Sequence, residues 1–433
     1  MRKTVTSLER VTRVRSPRRH LGALLSASLA LVVFGAACSS DDGEEAPQPA
    51  ETGSVEEVLG PISEASGEPV KVGVISDGKS AAIDNSIQFD VAEATAAYLN
   101  KHRSGLGGRP IEVVTCETQA DPAKGTDCGN RMIEEGVVAV TVGESGVAES
   151  IWQPLSDANI PTMFYGAGTP SLLEDAESTF ILADPNFGTL QMPISLAKDI
   201  GAKKVTSIVI DVPAALHSAQ EVAPPMYEEA GLEYELVRVP PGTADMTPQM
   251  QGVVNGKPDL VFVIGNDTFC ISAFNGLKAV GYTGTISAIS QCVTDATREA
   301  VSADVLGGMV VAAIAPVGGT DPSTVLYETA MKTYGKNIDV TSPTGRTMFT
   351  ILAALAEAVD GISGDITPET VAAAIKAMPE KELPGAAGMK FRCNGKAAPE
   401  TPAVCVRGGL TTTLNEEGHP TEFEVRGSSP IED

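Results

Sequence analysis

The sequence predicts an α/β protein in which two doubly wound lobes, each with a mainly parallel sheet, are joined by a hinge of several strands. Short apolar runs rich in Val and Ile alternate with segments of helical periodicity along most of the chain. Such alternation, with helices of about 10–15 residues, is typical of βαβ units. The chain of 433 residues is also long for one core. We therefore expect about two to three lobes or domains.

The first 37 residues have the composition of an export signal. Basic residues are frequent up to position 19, and an apolar run follows at 21–37. Small residues directly before Cys38 are typical of a lipoprotein signal, in which residues 1–37 are removed and the cysteine is lipidated. An uncleaved anchor is the alternative, disfavoured because the run is short for a membrane span. Both readings place the bulk of the chain outside the cytoplasm, and the pair Arg18-Arg19 leaves the export route open.

Composition and charge characterise the chain beyond the signal. Residues 38–68 are rich in Ser, Asp, Glu, Pro and Gly, which predicts a flexible linker between the lipid and the folded body. The chain carries 31 basic and 56 acidic residues, a formal net charge of −25. This charge repels nucleic acid and anionic lipid surfaces. The aromatic content of 4% also offers few platforms for stacking bases. We expect no nucleic-acid partner.

Six cysteines remain after Cys38, and an even number in an exported chain predicts disulfides. Proximity in sequence favours three pairs, although the sequence leaves other pairings open. The favoured pairs are Cys116–Cys128, Cys270–Cys292 and Cys393–Cys405. A metal site is the rival interpretation, but the sequence has no C-x-x-C pattern and its four histidines are scattered. We expect neither a metal nor a cofactor.

Two series of predicted elements define the lobes. The first has strands at 70–76, 110–116, 137–142, 160–165 and 179–182, with Asp84 as the cap of its first helix. The second has strands at 205–211, 233–239, 260–264, 285–290 and 309–313, with helices at 186–200, 214–230, 247–254 and 268–280.

The last part of the chain returns to both lobes. We assign the helices at 344–360 and 368–377 to the first lobe, and we expect a hairpin of 388–393 and 403–413 closed by its own disulfide. The predicted organisation is therefore lobe 1 at 69–185 plus 317–378 and lobe 2 at 186–316 plus 379–433. Repeated passage between lobes makes a hinge of several strands.

Glycine-rich turns follow the predicted strands at 137–142 and 160–165. In an open parallel sheet such turns lie beyond the carboxyl ends of the strands, where these sheets bind ligands. Ser145 comes at the start of a predicted helix, among unpaired backbone N–H groups and the positive end of the helix dipole. This is a suitable position for a carboxylate or another anion. We expect the unit to form half of a small-molecule site.

One motif favours another class of protein. Residues 73–80, GVISDGKS, fit the G-x-x-x-x-G-K-S pattern of the phosphate loop of nucleotide hydrolases. The first glycine of that loop must follow its strand, whereas Val74 and Ile75 continue the apolar run. Nucleotide is also scarce outside the cytoplasm, so we disfavour this interpretation. Nucleophilic catalysis is disfavoured as well, because Ser145 lacks the G-x-S-x-G elbow and no histidine is placed for a triad.

Several stretches in a fixed order resemble a known family. They are VKVGVI, GLGGRPIEVVTCETQADPAKG, VTVGESGVAESIWQPLSDANIP, the turn GAGTP, GAKKVTSIVID, KPDLVFVIG and KAVGYTG. Together the chain resembles the extracytoplasmic solute-binding proteins of the leucine/isoleucine/valine-binding (type I periplasmic binding protein) family. The resemblance implies two lobes that close on a small solute, delivery to the membrane permease of an ABC importer, and no chemistry. We also expect a monomer. A ligand sensor of the same fold and an extracytoplasmic enzyme are the alternatives.

The resemblance also implies the site residues. Family members hold a ligand carboxylate after the third and fourth strands, which here correspond to Ser145 with Gly146 and to the turn Tyr165, Gly166, Ala167, Gly168 and Thr169. Other strand-end positions that we expect at the site are Asp77, Gly78, Asn266, Asp267 and Gln291. Many relatives supply a Tyr-Gly pair from the second lobe, and this sequence has Val212 and Pro213 there instead. That departure puts the usual amino-acid ligand in question, and amides, short carboxylates and aromatic acids stay open.

Overall fold

Two separate sheets organise the part of the chain that the computed structural model describes, residues 54–80, 84–212, 215–216 and 218–433. The first sheet has the order β2-β1-β3-β4-β5, and its neighbouring strands are all parallel. Its strands are β1 (Val70–Ser76), β2 (Ile111–Glu117), β3 (Ala139–Val142), β4 (Thr162–Phe164) and β5 (Thr179–Ile181). The predicted signal peptide at 1–37 and Cys38 lie outside the described residues.

Helices cover both faces of this sheet and bury one continuous apolar cluster against it. They are Val55–Leu59, Ile87–His102, Pro122–Glu135, Ala148–Asp157, Pro170–Glu174, Pro322–Tyr334, Pro343–Ala358 and Pro368–Ala377. Several begin with Pro after a side-chain cap: Asp121, Asp321 and Ser342 each accept a backbone N–H bond at a helix start. The predicted cap at Asp84 was wrong. Its Oδ1 instead accepts bonds from the backbone and hydroxyl of Ser86, and the helix begins at Ile87.

The second sheet mixes parallel and antiparallel pairing in the order β14-β13-β10-β9-β8-β6-β7. The last two strands of the chain join the sheet beside β10, with antiparallel registers. The strands are β6 (Lys204–Ile210), β7 (Glu233–Val239), β8 (Leu260–Ile264), β9 (Thr285–Ala288), β10 (Val310–Ala313), β13 (Gly409–Leu414) and β14 (Pro420–Arg426). The short strands β11 (Lys381–Glu382) and β12 (Lys390–Phe391) form a separate ribbon.

Helices on both faces make this second lobe doubly wound, as predicted. Two buried clusters lie on either side of the sheet, one under Met192–Asp199 and Ala223–Glu229, the other under Thr247–Asn255 and Asp267–Ala279. Two short helices, Asp295–Ala300 and Ala303–Leu306, precede β10. The predicted helix at 186–200 starts as the π-helical turn Phe187–Gln191. The helix predicted at 214–230 includes a second π-helical turn, Ser218–Val222.

The hairpin predicted from 388–393 and 403–413 is present in part, since Phe391 forms an antiparallel bridge with Val406 and the Cys393–Cys405 disulfide joins the two segments. Val404 forms a parallel bridge with Ile181 at the edge of the first sheet, whereas the hairpin in the second sheet is β13 with β14. Leu383, Met389 and Phe391 likewise belong to the buried cluster of the first sheet. The second arm predicted for that hairpin, 403–413, is divided: Val404 and Val406 form single bridges, and Gly409–Leu414 is strand β13 of the second sheet. The lobe boundaries predicted from the sequence therefore stay a prediction.

Residues 54–68 pack on the first lobe, although the sequence assigns them to the linker. Leu59 is buried in the core, and the backbone N–H groups of Ser63 and Ala65 donate to the carbonyls of Lys101 and Asn100. A buried leucine and paired backbone groups give this polar stretch enough contacts to hold it in place.

Three disulfides lie in the described residues, and they are the pairs favoured by sequence proximity: Cys116–Cys128, Cys270–Cys292 and Cys393–Cys405. The first two pairs each tie a helix to the end of a neighbouring strand or turn. Their loops close 12 or 22 residues, and loops of this size stabilise a fold by about 3 kcal/mol in the chain-entropy model.

The described chain passes between the two sheets three times, at 182–186, 314–321 and 407–408. These segments are called the crossings below. The third is the tightest, because Gly408 has φ +77° and an added Cβ would lie 2.0 Å from the carbonyl oxygen of Arg426. Only glycine fits this position without a backbone shift.

A buried arginine holds the second crossing. Arg346 lies in the apolar helix Pro343–Ala358 with 1% of its surface exposed. Its Nε donates to the carbonyl of Gly385 at 2.9 Å, and its Nη2 donates to the Thr324 hydroxyl at 2.5 Å and to the carbonyl of Pro316 at 3.4 Å. The Thr324 hydroxyl in turn donates to Asp321 Oδ2 at 2.5 Å. The guanidinium therefore joins the second crossing to the turn at Gly385.

The charge of Arg346 is kept despite burial. Burial lowers the pKa of Arg346 to about 10, which still leaves it protonated at neutral pH. Its guanidinium carbon lies 4.6 Å from the centre of the Tyr327 ring, a favourable cation–π contact. Burial acts to raise the pKa of Asp321, but hydrogen bonds from Ser323 and Thr324 and the charge of Arg346 outweigh it and lower that pKa.

We predict that Arg346→Met lowers the free energy of unfolding by about 3 kcal/mol, because it leaves buried carbonyl and hydroxyl groups without their charged donor. Arg298→Met is the matched control, since Arg298 is more exposed and its loss should cost less than about 1 kcal/mol. Urea unfolding followed by circular dichroism measures both. Equal losses in the two variants would mean that Arg346 does not hold the crossing.

Candidate functional site

A cavity of about 250 Å³ lies where the three crossings meet. Each crossing contributes lining residues, and so do the carboxyl ends of strands from both sheets. The lining comprises Tyr165, Leu182, Ala183, Asp184, Pro185, Phe187, Gly188, Thr189, Ile289, Ser290, Gln291, Ala312, Ala313, Ile314, Leu383, Ala386, Met389, Gly408, Gly409 and Leu410. A molecule bound there would touch the ends of both lobes.

Tyr165 spans the cavity from the first lobe to the second crossing. It follows β4, and its hydroxyl donates to the carbonyl oxygen of Ile314. Burial raises the pKa of Tyr165, and the negative charge of Glu144 raises it further. The phenol is therefore a neutral hydrogen-bond donor at any physiological pH, and its bond links the loop of one lobe to the strand end of the other.

Asp184 is the one charged residue among the lining residues of the described chain. It lies in the first crossing, where its Oδ1 accepts from the backbone N–H of Asn186 at 2.8 Å and its Oδ2 accepts from Gln191 Nε2 at 2.5 Å. Burial raises the pKa of Asp184, and these two hydrogen bonds partly oppose that effect. A carboxylate has about four acceptor positions, so each oxygen keeps capacity for a further donor.

The remaining wall combines apolar surface with a few uncharged polar groups. The apolar lining includes Phe187, Leu383 and Met389, while Thr189, Ser290 and Gln291 supply hydroxyl and amide groups. Apolar pockets with a small number of placed polar groups are typical of small-molecule sites. This arrangement has the chemistry of a binding site for a small solute with one polar end.

The predicted anion position at Ser145 is filled by the chain itself. Asp77, 1% exposed, accepts a bond from Ser145 Oγ at 2.8 Å through Oδ1 and from Gly146 N at 2.8 Å through Oδ2. The Thr118 hydroxyl donates to the same Oδ1 at 2.6 Å. Val147, which precedes the helix Ala148–Asp157, has no capping side chain. The Asp77 carboxylate therefore supplies the negative charge that this helix end favours.

The structure places only some of the other predicted site residues at the cavity. Tyr165 and Gln291 line the cavity, and Gly166 borders it, since an added Cβ on Gly166 would lie 4.0 Å from Ala183 Cβ. Ala167, Gly168 and Thr169 continue this loop to the helix Pro170–Glu174.

The residues predicted at the ends of other strands, Gly78, Asn266 and Asp267, form hydrogen bonds with residues close to them in sequence. Gly78 donates its N–H to Ser76 Oγ at 3.1 Å in the turn after β1. Asn266 caps the helix Asp267–Ala279 by accepting from Phe269 N at 3.0 Å. Asp267 Oδ1 accepts from Thr268 N at 2.7 Å. Their contact with a ligand remains a prediction.

The phosphate-loop pattern has the wrong local structure for its chemistry. Gly73 lies inside β1 and pairs with strands on both sides, so it does not open a loop. Lys79 forms an ion pair with Asp84 at 3.2 Å, and the next helix begins only at Ile87. The position of Gly73 inside the strand therefore agrees with the sequence-based argument against a phosphate loop.

Several lining residues were missed in the sequence. Asp184 and Pro185 follow the strand predicted at 179–182, and the rule that ligands bind beyond the carboxyl ends of strands applies to that turn as well. Ser290 is adjacent to Gln291 and follows the same rule. No local pattern predicts Leu383, Met389 or Gly408, because their position depends on how the chain end packs against the first lobe.

The fold and the cavity define a class, the two-lobed α/β proteins with a small-molecule site where the lobes meet. The family model described as "Periplasmic binding protein" matches residues 69–409 of this chain. Since the match covers well over half of the 433 residues, the chain belongs to the periplasmic binding protein family.

Individual relatives agree with this assignment. The Leu/Ile/Val-binding protein homolog 6 of Brucella abortus (strain 2308) is 27% identical over 197 residues, 43% of this chain and 50% of that protein. The chain thus spans about half the length of the curated relatives it matches. The resemblance to leucine/isoleucine/valine-binding proteins predicted from the sequence is confirmed.

Solved structures share the fold at low sequence identity. An ABC transporter substrate-binding protein from Sphaerobacter thermophilus has a TM-score of 0.61 at 19% identity, covering 83% of this chain and 99% of that chain. An ABC transporter solute binding protein from R. palustris, in complex with 4-hydroxybenzoate, has a TM-score of 0.58 at 20% identity, covering 83% and 98%. The predicted fold class is confirmed.

We predict that Asp77→Ala lowers the free energy of unfolding by about 2–3 kcal/mol, because the Ser145, Gly146 and Thr118 donors lose a buried acceptor. Asp77→Asn keeps an acceptor and should lose less. Urea unfolding measures both variants.

The control for this prediction is Asp157→Ala, which removes an exposed carboxylate and should change stability by less than about 0.5 kcal/mol. A loss in Asp77→Ala no larger than in the control would mean that the carboxylate adds nothing to the helix end.

Proposed function

We propose that the chain is the extracytoplasmic solute-binding component of an ABC-type importer. It binds a small solute at the junction of its two lobes and performs no chemistry. The observation that carries the proposal is the cavity at the three crossings, because a solute held there contacts both sheets at their carboxyl ends. Its volume of about 250 Å³ lies near the lower limit of ligand pockets, about 300 Å³, so the solute is small.

The names of the related proteins support this role, because they refer to the binding of small solutes. The Brucella relative is a Leu/Ile/Val-binding protein homologue, and the R. palustris structure contains 4-hydroxybenzoate. Amino acids and small carboxylates are therefore the ligands to test first. Within the cavity, Tyr165 and Gln291 are the predicted site residues best placed to contact such a solute.

Membrane attachment through the lipid on Cys38 and delivery to a permease complete the proposal. A permease accepts solute from outside the cytoplasm, which agrees with the export signal predicted at 1–37. In the described part of the chain we find no helix with the length and apolar character needed to cross a membrane. The protein acts as a monomer that the permease recognises in its closed form.

We expect the two lobes to close on the solute, because the cavity is lined by loops of both lobes. A solute shifts the protein toward a closed form only through its stronger affinity for that form. The hydrogen bond from Tyr165 to Ile314 already joins loops of the two lobes across the cavity, and a solute adds further contacts between the same loops. The crossings absorb the rotation, as hinge segments commonly do.

The proposal predicts that a thermal-shift screen of the full chain against amino acids and small carboxylates or amides finds a stabilising solute. At a concentration of 100 Kd the solute should add about 2.7 kcal/mol of stability. Small-angle X-ray scattering of the same mixture should show a smaller radius of gyration. A stabilising solute that leaves the radius of gyration unchanged would contradict binding by lobe closure.

A second prediction concerns Tyr165. The variant Tyr165→Phe loses the bond to Ile314, and a typical hydrogen bond is worth about 1 kcal/mol. We expect the Kd for the solute found in the screen to rise about fivefold by calorimetry. Tyr234→Phe is the control, because its hydroxyl bonds to Ala219 within the second lobe at 3.0 Å. Equal effects in both variants would contradict a role for Tyr165 in linking the lobes.

A further inference from the structure

We propose that the cavity takes a small cationic amine without a carboxylate, held by Asp184. The inference rests on the proposed function and specifies its solute class. It differs from what the names of the related proteins suggest, and three observations on the described residues support it.

The first observation concerns the place where a ligand carboxylate was expected. The donors at the start of the helix Ala148–Asp157 already serve Asp77, whose carboxylate accepts from Ser145, Gly146 and Thr118 within 2.8 Å. A second carboxylate at Ser145 would compete for the same donors and lie against a like charge. Two carboxylates that share a site disfavour each other's ionised form. Ser145 Oγ and Gly146 N, the two groups expected to hold a ligand carboxylate there, are therefore already used by Asp77.

The second observation is the sign of the charge at the cavity. Asp184 is its one charged lining residue in the described chain. Behind the lining, Glu144 acts to raise the pKa of Tyr165 and the buried Arg346 acts to lower it, but the Arg346 guanidinium already donates to Gly385, Pro316 and Thr324. The lining includes no lysine or arginine among the described residues. A carboxylate next to apolar surface is costly unless a counter-charge or donors satisfy it. An ammonium group supplies both the charge and the N–H donors.

The third observation is the remaining capacity of Asp184. Its two oxygens accept one hydrogen bond each from Asn186 and Gln191, and each has a further acceptor position. Phe187, Leu383 and Met389 provide apolar surface for the body of the solute. The cavity thus combines one acidic group with an apolar wall, which fits an alkyl or arylalkyl amine, protonated at neutral pH, and does not fit a fatty or aromatic acid.

The test compares solutes that share a body and differ only in the polar group. The first set is 3-methylbutylamine, 3-methylbutanol and 3-methylbutanoate, and the second is benzylamine, benzyl alcohol and benzoate. Isothermal titration calorimetry with the full chain at pH 7.5 gives each Kd. We expect the better amine to bind at least tenfold more tightly than its matched acid, with the alcohol between them.

Two variants assign the effect to one side chain. Asp184→Asn keeps the size and polarity of the side chain but removes the charge, and it should weaken the amine at least tenfold while the alcohol changes less than threefold. Asp157→Asn removes an exposed acid elsewhere on the first lobe and should leave all affinities unchanged. The comparison separates a local ion pair from the general attraction of an acidic protein for cations.

The outcomes distinguish this inference from the proposed function. A matched acid that binds as tightly as its amine overturns the solute class but leaves the receptor role standing. Failure of both amines to bind also overturns the solute class, and the receptor role is then judged by native mass spectrometry for a co-purified solute. An amine affinity unchanged in Asp184→Asn overturns the assignment to Asp184.

Discussion

The buried guanidinium of Arg346 is the constraint on which the junction of the lobes depends. A charge with 1% exposure costs several kcal/mol unless donors and acceptors are arranged around it. The carbonyls of Pro316 and Gly385 and the hydroxyl of Thr324 are brought to it for that reason. Because Gly385 lies between Leu383 and Met389, the position of that turn also sets the apolar wall of the cavity. One charge thus links the core of the first lobe to the shape of the site.

The helix end at Ser145 illustrates how an internal contact changes the meaning of a motif. A glycine-rich turn followed by a helix is a suitable anion site, and the sequence indicates that correctly. Which anion binds there depends on what the rest of the chain supplies. Here Asp77, a residue 68 positions earlier, reaches the same donors from the end of β1. The motif therefore stabilises the fold first, and the charge left for a solute is set by Asp184.

Much of the fold was predictable because its information is local. Val70–Ser76 and Glu233–Val239 are strands with the predicted bounds. The first is a buried apolar run and the second a half-buried edge strand, and both patterns are local in the sequence. The three disulfides join cysteines close in sequence, so proximity was sufficient to pair them. The helix Pro322–Tyr334 was missed. Residues 403–413 divide between the two sheets, and the sequence carries no signal for that division.

The site was predictable only in part, because much of its lining is brought together by contacts between distant parts of the chain. Tyr165 and Gln291 follow predicted strands, and both line the cavity. Asp184 also follows a predicted strand, but in the sequence its turn only connects the predicted elements of the first lobe to those of the second. Its place in the cavity depends on the meeting of the three crossings, which the sequence does not show.

The three crossings are held in place by different contacts, and these contacts affect how a bound solute acts on the hinge. The third is restricted, because Gly408 lies against the backbone of Arg426 with no space for a side chain. The second is held by Arg346 through Pro316 and Thr324. The first has the bond of Asp184 to Asn186 within the crossing and a bond of Asp184 to Gln191 in the helical turn that follows it. A solute that pairs with Asp184 therefore contacts one of the segments that join the lobes, at a residue already bonded to the second lobe through Gln191. Asp184 is therefore both the residue proposed to bind the solute and part of a segment that joins the two lobes.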